Sequence, residues 1–168
     1  MEETNDSVGG TAVLDRPTVD SKVALGKLEN LLDLSNVRMK LADADEGPGL
    51  SEDYLNLMEA EYRKFLALQL MHPDAIIVPC KIVDEMWHRH ILDTAAYRAD
   101  CAIIFGRFLD HFPYFGMRGT EDAQALHDSY AGTLQRYQEA FGAPPADTWI
   151  TSDAAKCGRT ACKPQKCR

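Results

Sequence analysis

Apolar residues return every three to four positions through most of this chain, and caps and breakers divide the pattern into helices. The first run starts near Asp20 or Ser21, either of which can cap it, and puts Leu25, Leu28, Leu31 and Leu32 on one face. A shorter run through Leu34, Val37 and Leu41 follows, and Gly47-Pro48-Gly49 ends it. Ser51 opens a strong helix with Glu52 and Asp53 in its first turn. Its stripe is Leu55, Met58, Tyr62, Phe65, Leu66 and Gln69, and His72-Pro73 closes it. The next apolar stretch, Ala75 to Pro79, is bracketed by prolines and has no second strand to pair with, so it reads as a buried extended connector. One helix is expected from Lys81 to Phe105, with Gly106 as its C-cap. An aromatic loop of Phe108, Phe112, Tyr114 and Phe115 then packs over the end of the helices. Thr120 is the expected cap of a last helix whose face is Ala123, Leu126, Tyr130, Leu134, Tyr137 and Phe141, stopped by Gly142 and Pro144-Pro145. Trp149 and Ile150 are expected to dock on the body.

The pattern predicts an all-α fold, a bundle of four to five helices over residues 20–150. Residues 1–19 read as a flexible arm and residues 151–168 as a flexible, basic, cysteine-rich tail. At 168 residues, 45% apolar and 26% charged, the chain has the composition of one globular domain. No run of about 18 apolar residues offers a membrane span. The opening Met1 to Asp6 is acidic and polar, unlike a secretory signal or transit peptide, and points to a cytoplasmic protein.

Charge changes the picture in one respect. The net value of −8 divides into +5 over residues 156–168 and −13 over the rest. So acidic a body repels phosphate backbones, and nucleic acid is not an expected partner. The tail can be drawn to an acidic surface, the body's own included.

Chemistry concentrates in Val83 to His90, which holds two acids, Trp87 and two of the five histidines. On a helix, His88 and His90 point about 200° apart and cannot share an ion unless the helix breaks there. His90 falls in the middle of the core face formed by Val83, Met86, Trp87, Thr94, Tyr97 and Cys101, where an imidazole satisfied by a hydroxyl or a carbonyl is the simplest reading. Asp84 and His88, four apart, form a flanking dyad. Such a pair is either a solvated ion pair or a carboxylate orienting an imidazole for metal or base duty. His111, between Asp110 and Phe112-Pro113, is the third partner to expect of any site. The candidate metal ligands are therefore Asp84, His88, His90 and His111, for zinc, iron or copper.

Cys80 and Cys101 lie in apolar surroundings and read as core residues. Cys157, Cys162 and Cys167 recur every fifth position among lysines and arginines, which lower thiol pKa values and raise reactivity. Their spacing is not that of a zinc knuckle, although soft metals could still be held.

Leu31 to Leu34, Glu61 to Leu66, Val78-Pro79-Cys80, the run VDEMWHRHILDTAAY from Val83 to Tyr97, Cys101, Phe105-Gly106, Leu109 and His111-Phe112-Pro113 resemble the glycine-rich-domain-containing-protein-like family, without its glycine-rich region. That resemblance marks Asp84, Trp87, His88, His90, Tyr97, Cys101 and His111, and implies a helical domain without a settled activity. The tail resembles the cysteine-rich core of a ribosomally made, modified peptide. The function expected first is therefore a non-catalytic carrier: a partner enzyme recognises the helical domain and modifies Cys157, Cys162 and Cys167, or the tail captures metal. The alternatives are a metal-binding domain or metal-dependent enzyme at the histidine motif, and a protein-interaction domain. No nucleotide fingerprint and no Ser-His-Asp order is present.

Overall fold

The computed structural model describes residues 17–149. These form seven helices and no strand: α1 (Ser21–Leu31), α2 (Ser35–Ala42), α3 (Glu52–Met71), α4 (Lys81–Leu92), α5 (Thr94–Phe105), α6 (Thr120–Phe141) and α7 (Ala146–Trp149). The all-α class follows directly. Among the described residues none of the helices is long and apolar enough to cross a membrane.

The organising element is α3, against which α1, α2, α4 and α6 all pack. Its stripe of Leu55, Met58, Tyr62, Phe65 and Leu66 is buried throughout. Ser51 caps it through the Tyr54 amide, as Asp20 caps α1 through the Lys22 amide. Arg63 reaches from α3 to the far end of α1. It donates to the carbonyls of Leu28 and Leu32 at 2.7 and 3.1 Å, tying the C-terminal end of α1 to α3. The connector over residues 75–79 is neither helix nor strand, and Ile77 and Val78 are fully buried in it. The Val78 amide donates to Thr133 Oγ1 on α6.

Two expectations are corrected. The helix expected from Lys81 to Phe105 is two, broken at Asp93, which leaves the helical conformation (φ −80°, ψ 72°) and accepts from the Ala96 amide to start α5. An aspartate before a threonine competes for backbone amides and stops one helix while capping the next. This break, together with the short α7, raises the count from the expected four to five helices to seven among the described residues. The cap of α6 is Gly119 at φ 107°, not Thr120. Asp122, expected to support the start of α6, instead accepts from the Gly116 amide and from Arg118 in the loop before it. Within the arm expected over residues 1–19, Thr18 bonds the carbonyls of Leu70 and Met71, and residues 1–16 lie outside the described residues.

At the other end, Trp149 is fully buried and its indole N–H donates to Glu61 on α3. Helix α7 also packs against α4. Cys80 and Cys101 are buried free thiols. Cys157, Cys162 and Cys167 lie outside the described residues.

Candidate functional site

The break at Asp93 folds α5 back along α4. On a straight helix, residues ten apart stand about 15 Å from one another. Here Trp87 Nε1 donates to the Tyr97 hydroxyl at 2.9 Å, and His90 Nε2 meets Asp100 Oδ2 at 3.0 Å, each across ten residues. The Tyr97 hydroxyl in turn donates to the Leu109 carbonyl at 2.6 Å. That bond fixes the aromatic loop two residues before His111. Loop and helix meet again where the His111 ring stands edge-on to Trp87, 4.6 Å between centroids.

His111 is thereby delivered to the flank of α4, where Asp84 and His88 stand one turn apart. Asp84, His88 and His111 each present a ligand atom, and the three atoms lie within 4.8 Å of one another. The Nε2 atoms of His88 and His111 are 3.0 Å apart, and His111 Nε2 is 3.3 Å from Asp84 Oδ1. His88 Nδ1 stands 3.7 Å from Asp84 Oδ2. An ion with bonds of about 2.0–2.1 Å sets tetrahedral donors about 3.3 Å apart, so the two shorter separations already suit one. Two imidazole nitrogens facing each other at hydrogen-bonding distance need a proton between them. A cation can stand where that proton does.

Exposure is graded around the cluster. The side chains of Asp84 and His111 are 15% and 10% exposed, whereas His88 is 45% exposed. The site is thus held from below by Trp87 and the loop, and opens to solvent on the His88 side. Of the four candidate ligands, the structure brings these three together and sends His90 elsewhere.

His90 is buried at the α3–α4–α5 junction. With the Asp100 carboxylate accepting from Nε2–H, Nδ1 is left to accept from the Tyr62 hydroxyl at 2.9 Å. Burial pushes the imidazole below its ordinary value and the Asp100 carboxylate pulls the other way, the net direction being down. A neutral ring with both nitrogens satisfied is a core polar link. His72 is buried and His127 is exposed, and neither joins the cluster.

Sequence reasoning passed over two partners. Asp100 does not stand out while α4 and α5 are taken as one helix, because a continuous helix carries it far from His90. Glu61 had a visible signal, an acid beside Tyr62 within an apolar stripe. It is 2% exposed and accepts from Tyr137 Oη at 2.8 Å, Trp149 Nε1 at 2.7 Å and Lys64 Nζ at 2.8 Å. Burial and this carboxylate raise the Tyr137 phenol above its ordinary value, so it remains a donor.

The chain matches the UCP032817-like family over residues 34–134. That is more than half of its length and spans all three clustered residues, and the chain belongs to that family. No curated protein and no solved structure matches it.

Proposed function

We propose that this protein is a metal-binding domain whose Asp84, His88 and His111 hold one divalent transition-metal ion. The observation that carries the reading is the convergence of three ligand atoms within 4.8 Å from two separate segments, α4 and the loop after α5. Two imidazoles and one carboxylate suit zinc or iron, and copper also accepts imidazole. With three protein ligands, a four-coordinate ion would keep one position for a further ligand, and His88 is the most exposed of the three. An open position of this kind is what catalytic metal sites have and closed structural sites lack. The remaining position would take water or a further donor, and a water held there has its pKa lowered. The Trp87–Tyr97–Leu109 bridge supports the site by fixing the approach of His111.

Calorimetric titration of the reduced, metal-free full chain with zinc tests this. One equivalent binds, and His88→Ala and His111→Ala each weaken binding by at least about a hundredfold, beyond the roughly 10–100-fold typical of outer-shell partners. Absence of saturable binding, or binding indifferent to both substitutions, sinks the proposal.

A second reading rests on the sequence outside the described residues. Three cysteines at five-residue intervals in a basic segment favour a carrier whose tail a partner enzyme modifies. Intact mass of the protein expressed with and without its neighbouring genes decides it: a mass change confined to the tail supports the carrier, and an unchanged mass in both removes it.

A further inference from the structure

We infer that the site at Asp84, His88 and His111 takes a small monoanionic ligand with an apolar body, a carboxylate on an alkyl or aromatic skeleton, whose anionic end meets the ion and whose body lies on Leu92, Phe108, Tyr114 and Met117. The inference rests on the metal-binding reading above and names the class of molecule that the site accepts.

Three observations support it. The first is placement. Nine large apolar side chains are exposed among the described residues, and four of them sit on the two segments that supply the metal ligands. Leu92, 71% exposed, follows His88 by one turn of α4, and side chains at that spacing stand about 5–6 Å apart. Phe108 and Tyr114 lie three residues to either side of His111, so their Cα atoms stand no more than about 11 Å from its own. The Arg118 guanidinium stands 4.9 Å from the centre of the Phe112 ring, which folds the loop back and brings the adjacent Met117 beside the same stretch.

The second is the way the loop is held. Leu109 and Phe115 are buried, and Phe112 packs against the small cluster of Val78, Phe115 and Leu126. These three anchor the loop, while Phe108, Tyr114 and Met117 face solvent. Exposed apolar side chains gathered in one place, rather than scattered singly, mark an interaction surface.

The third is charge. A divalent ion held by one carboxylate and two neutral imidazoles retains one positive charge, which a single anionic donor neutralises. The chain as a whole carries −8, which disfavours ligands with several negative charges. One carboxylate on an apolar skeleton meets both conditions, and an apolar body oriented by a few polar contacts is the usual chemistry of a small-molecule site. On binding, the carboxylate oxygen donates a lone pair to the ion in place of water, with no bond broken in the ligand and no change of oxidation state.

The experiment uses the reduced full chain loaded with one equivalent of cobalt(II), whose visible absorption changes when a ligand enters its coordination sphere. Acetate, butanoate, hexanoate and octanoate are titrated in turn, and calorimetry follows octanoate on the metal-free chain. The variant combines Leu92→Ser and Tyr114→Ser, both at exposed positions outside the metal ligands. Each methylene taken out of water strengthens binding about fourfold, so burying two of those that octanoate adds to acetate is enough for about tenfold. The inference expects affinity to rise at least tenfold from acetate to octanoate. It expects the variant to lose at least threefold for octanoate with acetate and cobalt affinities unchanged, and the metal-free chain to bind octanoate at least tenfold more weakly. Equal affinity along the series, a gain untouched by the double substitution, or octanoate held equally well without metal overturns the inference and leaves the metal-binding reading standing. Cobalt held through His88 and His111 with no carboxylate entering its sphere does the same. No cobalt binding in any form removes the metal-binding reading, and the inference with it.

Discussion

His88 and His90, separated by one arginine, do different work because the helix turns each to a different face. His88 stands at the surface one turn above Asp84, and His90 lies in the core between Tyr62 and Asp100. Removing His90 leaves a buried hydroxyl without this partner and a carboxylate without its donor. His90→Ala is therefore expected to cost about 2–4 kcal/mol of stability, measured by urea unfolding, while zinc affinity stays unchanged. A parallel loss of metal from the folded variant would place His90 in the ligand set. The separation of the two rings was legible in the sequence, since it needs only the helical angle per residue. The membership of His111 was legible as chemistry alone. No spacing rule connects a loop residue to a helix 23 positions away.

At the level of elements, the sequence announced most helices through stripes and caps, and it misled at Asp93. Hydrophobic periodicity carries through that residue in the right phase, so nothing in the pattern distinguishes one helix of 25 residues from two that fold back. The local chemistry, Asp93 next to Thr94, was the available sign. The consequence reaches the site, because only the turned-back α5 can place Tyr97 against Trp87 and against the loop that holds His111. That loop has a second anchor in Asp122. The Arg118 guanidinium and the amides of Gly116 and Arg118 hold its carboxyl down at about 2, against an ordinary 3.8. A depressed carboxylate gives its full contribution above its unfolded value and loses it as pH falls through the folded one. The loop is therefore held above pH 3.8 and released toward pH 2. The Gly116 amide, which donates to Asp122, reports this directly by NMR. Its shift should titrate with a midpoint near 2, and Arg118→Ala should move that midpoint up toward 3.8. A midpoint unmoved by the substitution would discard the anchor.

At the scale of the whole molecule, α3 is the axis and Glu61 its polar centre. One buried carboxylate joins α3 to α6 through Tyr137 and to α7 through Trp149, with Lys64 supplying the counter-charge. Taking away a buried charge that satisfies three donors is costlier than its own net contribution. Glu61→Ala is expected to lose about 3 kcal/mol or more in chemical denaturation. A loss under about 1 kcal/mol would mean that α6 and α7 are held by apolar packing alone. The central claim is the ion at Asp84, His88 and His111. Anomalous diffraction at the zinc edge, on crystals grown with one equivalent of zinc, tests it most directly. The account predicts a single strong peak about 2.0–2.2 Å from a carboxylate oxygen of Asp84 and from one ring nitrogen each of His88 and His111. A peak at any other set of residues, or none, would contradict it.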